Sequence, residues 1–238
     1  MVELAILRSM YGHALLRDMD VSRALQHPDA IDVVTAKDIR KGVRPISTEI
    51  DTEGFKSTEG YPLARNKVRY VGEPVAAVMA TDRYVAEDIA EMIQVDYEPL
   101  TPLVDAMEAL KDGAPLLHED LGTNVLVHRI FKNGDIGKSF QTADHIIREH
   151  FRIERHVGAT METRGYVACY ERGTGRLTLY SCGQTPHFLR MGLSEVLGIE
   201  ENRIRVITPD VGGGYGTKGI LYQEEILCCY LSMKLGRP

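Results

Sequence analysis

A run of glycines late in the chain most constrains what it can fold into. Residues 210–218 read Asp-Val-Gly-Gly-Gly-Tyr-Gly-Thr-Lys and lie between a segment typical of a strand and a segment typical of a helix. Glycine is costly to order, so folded chains keep it where the backbone bends sharply or approaches a ligand closely. We therefore expect a binding site at this loop rather than a piece of core.

Composition limits the class of protein. With 238 residues, of which 44% are hydrophobic, the chain has enough apolar side chains for a substantial core in one or two domains. Its net charge of −6 includes no basic stripe, so we expect no nucleic-acid partner. The apolar run at 74–80 is too short to cross a bilayer, and the start lacks a signal-peptide pattern. We expect a cytoplasmic location.

The four cysteines indicate neither a metal site nor a redox pair. Cys169, Cys182, Cys228 and Cys229 form no Cys-x-x-Cys pair, and each lies in an apolar-rich context. Free cysteine is usually buried, so we predict four reduced thiols that pack in the core.

The first half of the sequence is typical of a mixed α/β (α+β) domain with short strands. Residues 3–8, 14–18 and 31–35 are predicted strands, and a strand at 75–80 precedes a helix that we expect Thr81 to cap. We divide the chain into a first domain at 1–111, a linker at 112–142 and a second domain at 143–238.

In the second half, a strand, a loop and a helix occur twice in succession. Residues 145–154 have β-type content, and 166–170 and 176–181 predict a hairpin. A helix should begin after Thr185 with Pro186 and end at Gly198. A strand at 203–208 and a helix at about 222–235 then enclose the glycine loop.

This repetition has a geometric consequence for the site. If 177–181 and 204–208 pair in parallel across the intervening helix, the loops after them leave the sheet at one edge. Gln184 and the glycine loop would then share one ligand, which helix N-termini and loop amides would hold through anionic or oxo groups.

Two nucleotide-binding motifs compete for the loop. A phosphate-binding Walker A loop needs Gly directly before Lys, and Thr217 stands there instead. A dinucleotide fingerprint occurs at 214–219, but the acidic residue expected about twenty positions later is missing. A purely structural turn also remains open on these residues alone.

Three ordered motifs resemble those of a known family. Met-Glu-Thr-Arg-Gly at 161–165, Gln-Thr-Pro-His at 184–187 and the loop with its preceding strand at 205–218 are similar to the molybdenum-binding subunit of the molybdenum hydroxylases. That family contains xanthine dehydrogenase, aldehyde oxidase and aerobic carbon-monoxide dehydrogenase. Residues 67–78 and 96–100 resemble its α/β hammerhead domain.

The resemblance implies an α/β hammerhead domain at 1–111 followed by the first part of a molybdenum-cofactor-binding domain. It implies a molybdopterin cofactor, in its cytosine dinucleotide form, with molybdenum near Gln184 and the backbone of the loop. On this basis the expected cofactor-binding residues are Gln184, Gly212, Gly213, Gly214, Tyr215 and Gly216. Gln184 would lie near the metal without ligating it.

The resemblance also implies an activity and partners. The family oxidises or hydroxylates a small substrate, such as an aldehyde, carbon monoxide or an N-heterocycle, with oxygen taken from water. Electrons pass to two iron–sulfur clusters and a flavin (FAD), carried by a small and a medium subunit in a dimer of heterotrimers. The absence of cluster-type cysteine spacing in this sequence agrees with that division.

The sequence departs from the family pattern at several positions. Tyr215 replaces the usual Phe, and its hydroxyl needs a hydrogen-bond partner or solvent. Thr160 and Thr163 replace prolines around Met-Glu, so we assign Glu162 no catalytic role. Gly219 replaces the glutamate of the purine-oxidising branch, which argues against xanthine as substrate.

Length is the largest departure from the family. Family subunits continue beyond position 238 to a catalytic glutamate near their C-terminus, so we expect an N-terminal fragment with no catalytic residue and no turnover of its own.

Other polar residues give weaker indications. His150 and His156 lack the spacing of metal ligands, and we expect them to be solvated or packed. His187, in the first turn of its helix, is a candidate to line the site. Lys218 either pairs with an anionic cofactor group or is exposed, as lysine usually is.

Two rival functions stay open beside the enzyme hypothesis. A non-catalytic scaffold or interaction domain would keep the fold without the cofactor. A nicotinamide-dependent dehydrogenase would require an acidic residue that this sequence does not contain at the expected place.

Overall fold

A computed structural model describes residues 1–47 and 52–238, with a mixed helix and sheet architecture in both halves. In the N-terminal half the helices are α1 (Ser22–Leu25), α2 (Ala36–Ile39), α3 (Arg83–Glu91) and α4 (Ala106–Ala109). The strands there are β1 (Glu3–Arg8), β2 (Ala14–Asp20), β3 (Ala30–Thr35), β4 (Ile46–Ser47), β5 (Glu59–Gly60), β6 (Lys67–Val68), β7 (Pro74–Ala80) and β8 (Gln94–Pro99).

The central element of this half is β7. Every one of its seven residues is buried, and it lies between β1 and β3 with antiparallel pairing on both sides. A strand covered on both faces carries apolar side chains at every position rather than at alternate ones. The run Pro-Val-Ala-Ala-Val-Met-Ala therefore forms the middle of a three-layered unit rather than a surface strand.

One face of this sheet is covered by α3. Its buried residues Ala86, Ile89 and Ala90 join an apolar cluster with Val78 of β7. The helix begins one residue later than predicted, because Asp82 rather than Thr81 is the N-cap. The Asp82 carboxylate accepts hydrogen bonds from the amides of Tyr84 and Val85, at 2.9 and 3.2 Å. An ionised carboxylate suits the positive end of a helix better than a hydroxyl does.

A second sheet packs beside the first. It has the order β6-β2-β8 with antiparallel pairing, and its apolar side is formed around Ala14 and Val68. The short strands β4 and β5 pair with each other. The predicted strands of the first half are all present, and β2 and β3 are slightly longer than predicted.

The stretch between the two halves has little regular structure. It holds a 3-10 turn at Glu119–Leu121 and the helix α5 (Ile136–Gln141). The β-type content at 145–154 forms no strand, and these residues are exposed. Their apolar side chains have no neighbouring strand among the described residues, so the β-type composition predicted a strand wrongly there. The domain limits at 111 and 142 remain predictions.

The C-terminal half follows the predicted order of elements. Its elements are β9 (Tyr166–Glu171), β10 (Arg176–Ser181), α6 (Pro186–Leu197), β11 (Ile204–Ile207) and α7 (Gln223–Leu235). The sheet order is β11-β10-β9, with an antiparallel β9–β10 hairpin. β10 and β11 pair in parallel, Leu177 opposite Ile204, which confirms the prediction that α6 is a crossover.

α7 joins the two halves. It packs on β9 and β10, and its Leu227 lies in the same apolar cluster as Met79 of β7 and Leu179 of β10. Two ion pairs reinforce the contact, from Arg8 to Glu224 at 2.5 Å and from Lys234 to Asp32 at 2.5 Å. One continuous core thus fixes the C-terminal sheet against the N-terminal one. Among the described residues, no helix combines the length and the apolar character that a membrane crossing needs.

Two acidic residues at the start of α7 are buried. Glu225 is 1% exposed; its carboxylate accepts hydrogen bonds from the Ser181 hydroxyl at 2.6 Å and the Tyr222 amide at 2.8 Å. The second bond is half of a capping box, and the first ties α7 to the end of β10. Burial raises the pKa of the Glu225 carboxyl, and the neighbouring Glu224 raises it further.

We predict that Glu225 makes stability fall as pH rises. Its folded-state pKa is raised above the ordinary value of 4.5, so the folded protein holds this proton more tightly than the unfolded chain. The resulting stabilisation is present at low pH and is lost as pH rises through the raised pKa. Glu225→Gln, which stays neutral and can keep both contacts, should lack this loss in urea unfolding followed from pH 4.5 to 7.5. The exposed Glu200→Gln is the control, and parallel profiles for Glu225→Gln and wild type would contradict the assignment.

We also predict that α7 carries much of the folding stability. Leu227 is fully buried, and Leu227→Ala should lower the free energy of unfolding by about 2–5 kcal/mol through lost burial and a cavity. Tyr84→Ala, at a side chain that is 74% exposed on α3, should change it by less than about 0.5 kcal/mol. Chemical denaturation of both variants measures this, and equal effects would show that α7 is not the shared core.

Candidate functional site

The parallel pairing of β10 and β11 brings two chain segments to one sheet edge. Gln184 follows the end of β10, and the glycine loop at 210–218 follows β11. The two meet directly, because the Gln184 amide donates a hydrogen bond to the Lys218 carbonyl at 2.8 Å. The sequence-based prediction that both segments share one place is confirmed in this respect.

The Gln184 side chain lies inside the curve of the loop. Its Oε1 accepts hydrogen bonds from the amides of Gly216 and Lys218, at 3.1 and 3.3 Å. A Cβ atom on Gly214 would lie 2.4 Å from that carboxamide, so only glycine permits the approach. Gln184 is exposed, and its Nε2 has no partner among the described residues, which leaves two N–H donors available.

The middle of the loop presents backbone donors that the protein does not use. In the described part of the chain, the amides of Gly213, Gly214 and Tyr215 have no hydrogen-bond acceptor, although Gly214 is buried. Gly213 and Tyr215 have φ angles of 98° and 50°. Successive amides in such mixed conformations form a concave group of donors that suits an anion or an oxo group.

Tyr215 is the loop's non-glycine residue at positive φ. A left-handed conformation is unfavourable for a residue with a Cβ atom, by roughly 1–2 kcal/mol, so the surrounding contacts must hold it. Its side chain is 80% exposed, and its hydroxyl therefore reaches solvent. The hydroxyl that distinguishes it from Phe has its hydrogen-bonding need met without a protein partner.

Glu162, to which the sequence analysis assigned no catalytic role, contacts both ends of the loop. Glu162 Oε2 lies 2.7 Å from Lys218 Nζ and accepts a hydrogen bond from the Gly212 amide at 2.8 Å. The Glu162 amide in turn donates to the Gly212 carbonyl at 3.2 Å. The hydrogen bond from Lys218, and then that from Gly212, lower the pKa of the Glu162 carboxyl.

Lys218 is therefore neither exposed nor free to pair with a ligand. Its side chain is 2% exposed, and its ammonium group is neutralised by Glu162. Buried lysines need such a partner, because an unpaired buried charge is expensive. No sequence pattern predicted this ion pair, since 56 positions separate the two residues.

A polar chain connects the loop to the N-terminal half. The Tyr222 hydroxyl donates to the Thr217 carbonyl, and the Arg164 guanidinium lies 4.0 Å from the centre of the Tyr222 ring. Arg164 is also 3.6 Å from Glu224, which binds Arg8 of β1. These contacts link the glycine loop, through the start of α7, to β1 of the first sheet.

The histidines take no part in this arrangement. His187 is exposed in the first turn of α6 and has no hydrogen bond to the loop, while His150 and His156 are exposed outside any strand. Among the described residues, no three His, Cys, Asp or Glu side chains cluster as metal ligands would. All four cysteines are free, and burial raises the pKa of Cys228 to about 12.

The residues present fit a cofactor that carries oxo or anionic groups on a non-protein scaffold. Three acceptor-free amides, one of them in a buried glycine, and the two Nε2 donors of Gln184 can supply hydrogen bonds, and no cluster of metal-ligating side chains accompanies them in the described ranges 1–47 and 52–238. A cofactor that brings its own sulfur or oxygen ligands to a metal needs this kind of site.

Two family descriptions match the sequence, and together they cover most of it. Residues 1–101 match the a/b hammerhead domain of aldehyde oxidase and xanthine dehydrogenase. Residues 117–238 match the molybdopterin cofactor-binding domain, which is more than half of the chain.

Characterised relatives agree with these domains. The chain is 35% identical over 231 residues to the nicotine 6-hydroxylase large subunit of Paenarthrobacter nicotinovorans, covering 97% of this chain and 28% of the relative. It is 34% identical to the carbon monoxide dehydrogenase large chain of Afipia carboxidovorans, covering 97% of this chain and 30% of the relative. The chain spans about 30% of the length of these proteins.

A solved structure has the same fold. Quinoline 2-oxidoreductase from Pseudomonas putida 86 superposes with a TM-score of 0.94 at 36% identity, over 99% of this chain and 30% of that one. The hammerhead strands, the parallel β10–β11 pair and the cofactor-domain match all lead to one assignment. The chain belongs to the molybdenum hydroxylase family, and it comprises the α/β hammerhead domain and part of the molybdopterin cofactor-binding domain.

Proposed function

We propose that this chain is part of the molybdenum-binding catalytic subunit of an oxidoreductase that oxidises or hydroxylates a small substrate. One observation carries the proposal. The Gln184 side chain and the acceptor-free amides of Gly213, Gly214 and Tyr215 converge at a parallel-strand edge within a molybdopterin cofactor-binding domain. When bound, the cofactor supplies two-electron oxidation with oxygen from water.

The cofactor-binding residues in this proposal are those at the loop and the helix start. Gln184, Gly212, Gly213, Gly214, Tyr215 and Gly216 would hold the molybdenum end of the cofactor. The amides would donate hydrogen bonds to its polar groups, and Gln184 Nε2 would donate to an oxygen of the cofactor without ligating the metal. Gln184 Oε1 keeps the loop closed, since it already accepts from Gly216 and Lys218.

Glu162, the carboxylate that contacts the loop, is not suited to the proton transfer of the proposed reaction. Glu162 is ion-paired with Lys218 and has a lowered pKa, so it is a poor general base. We therefore place the catalytic glutamate outside these residues, in the part of the subunit that the relatives have and this chain does not span. No residue of 1–238 is assigned a catalytic role.

The substrate class and partners follow from the relatives. The matched proteins include a nicotine 6-hydroxylase, carbon monoxide dehydrogenases and a quinoline oxidoreductase, which supports an N-heterocycle or carbon monoxide as substrate. The match to the hammerhead domain of aldehyde oxidase and xanthine dehydrogenase supports an aldehyde as a further candidate. Relatives named as a large subunit and as the gamma subunit of a dehydrogenase complex support assembly with smaller subunits. We propose that these carry the iron–sulfur clusters and FAD, in a dimer of heterotrimers in the cytoplasm, with the pterin in its cytosine dinucleotide form.

The first test measures the cofactor itself. The protein encoded with its neighbouring subunits should contain about one molybdenum and one pterin for each copy of this chain, the pterin released with a cytosine nucleotide. Metal analysis and pterin fluorescence after oxidative release measure both. A folded complex that contains neither would refute the enzyme proposal and favour a scaffold role.

The second test addresses the proposed binding residues. Gly214→Ala places a methyl group on the Gln184 carboxamide, and Gln184→Ala removes that group, so both should weaken retention of molybdenum and pterin by about 10- to 100-fold. The control is Gly173→Ala, where a Cβ atom meets nothing within 4 Å. Normal cofactor content in both site variants would show that the loop does not hold the cofactor.

A further inference from the structure

We propose that Glu162 is a positioning residue that holds the glycine loop in its binding conformation by linking the loop's two ends. The inference rests on the proposed function only in what the loop binds, because the link itself lies within this chain. Glu162 comes from the Met-Glu-Thr-Arg segment, in which Arg164 contacts Tyr222 and Glu224, whereas the proposed cofactor contacts do not include Glu162.

The link is made by a single oxygen atom. Glu162 Oε2 receives both the Gly212 amide, at 2.8 Å, and the Lys218 ammonium, at 2.7 Å. Gly212 stands at the entrance of the loop and Lys218 at its exit. A second hydrogen bond, from the Glu162 amide to the Gly212 carbonyl at 3.2 Å, fixes the position of Gly212 relative to Glu162.

Close packing adds to the hydrogen bonds. A Cβ atom on Gly212 would lie 2.5 Å from Glu162 Cβ, so the backbone of Gly212 lies directly against the Glu162 side chain. Gly158, four residues before Glu162, also lies close to the loop, since a Cβ atom there would lie 2.9 Å from Thr217 Cγ2. Gly158 and Glu162 thus both pack against the loop.

Because Lys218 is buried, loss of its ion pair with Glu162 should move it in one direction, toward water. The ammonium group is almost fully enclosed, and Glu162 is its ion-pair partner within the described ranges 1–47 and 52–238. Without a counter-charge a buried ammonium moves toward water, because its desolvation is no longer offset. The backbone of Lys218 would move with it.

That movement reaches the cofactor-binding amides. The Lys218 amide shares its acceptor, Gln184 Oε1, with the Gly216 amide, and the Lys218 carbonyl accepts from the Gln184 amide. Displacement of Lys218 therefore breaks the Gln184 contacts, although Glu162 touches none of them. The amides of 213–215 lie between Gly212 and the residues that contact Gln184. When Lys218 is displaced, these amides no longer point toward one ligand.

The experiment uses hydrogen exchange of single amides in the cofactor-free chain. In Glu162→Met, the amides of Gly216 and Lys218 should exchange about tenfold faster or more, although neither contacts residue 162. A purely local role would affect the Gly212 amide alone. Glu162→Gln keeps an oxygen acceptor and should restore part of the protection, while the exposed Glu200→Met is the matched control.

A second variant approaches the link from its other end. Lys218→Met removes the ammonium group but keeps a side chain that is stable when buried, and circular dichroism verifies that each variant is folded. Because the contact between Lys218 Nζ and Glu162 Oε2 is lost in this variant, the end of the loop is no longer tied to Glu162, and exchange at the Gly216 amide should also become faster. Wild-type exchange at Gly216 in both Glu162→Met and Lys218→Met would overturn the proposal.

The loaded protein gives the functional readout. Glu162→Met should retain molybdenum and pterin about tenfold less well than wild type, and Glu162→Gln should be intermediate. Full retention in Glu162→Met would also contradict the positioning role. If wild-type protein itself binds no molybdenum, the proposed function fails, whereas the exchange result still decides the role of Glu162.

Discussion

The parallel pairing of β10 with β11 is the constraint on which the site depends. Parallel neighbours need a crossover, and α6 supplies it, so the ends of both strands meet at one edge of the sheet. Gln184 and the glycine loop lie 26 or more positions apart in sequence and would not meet in an antiparallel arrangement. The same pairing allows the Gln184 amide to bond the Lys218 carbonyl, which closes the loop onto the helix start.

The second requirement is a fixed position for this sheet edge. The buried acidic residues at the start of α7 provide it. Glu225 binds Ser181 at the end of β10, and Glu224 binds Arg8 of the first sheet. Arg164 then extends the network to Tyr222, whose hydroxyl binds the loop. Acidic groups in such places are costly to desolvate, and their hydrogen bonds and ion pairs here link α7 to both sheets. The hammerhead half thus contributes to the geometry of a site that it does not line.

Much of this could be predicted from the sequence, and the remainder depends on long-range contacts. Strong local signals, such as Thr185-Pro186 before α6 and Gly198 after it, gave the elements of the C-terminal half correctly. The strand-like apolar content at 145–154 predicted β-structure wrongly, because a strand needs a partner that composition does not reveal. The Glu162–Lys218 pair could not be inferred either, since burial of a lysine depends on the whole fold. Resemblance to a family predicted a cofactor site at the glycine loop, but it did not predict which contacts hold the loop in its conformation.

The conformation that the loop has before any ligand binds also matters for binding. A segment with four glycines loses much conformational entropy on folding, and Tyr215 adds the cost of a left-handed backbone. Contacts at Gly212, Gly216, Thr217 and Lys218 offset these costs from outside the loop. They leave the amides of 213–215 without acceptors, so the unmet hydrogen-bonding capacity is concentrated where a ligand would lie. A loop that is ordered beforehand spends little of the binding free energy on its own ordering. Its donors also need no reorganisation when charge develops on the bound group, which is the condition for electrostatic stabilisation of a reaction.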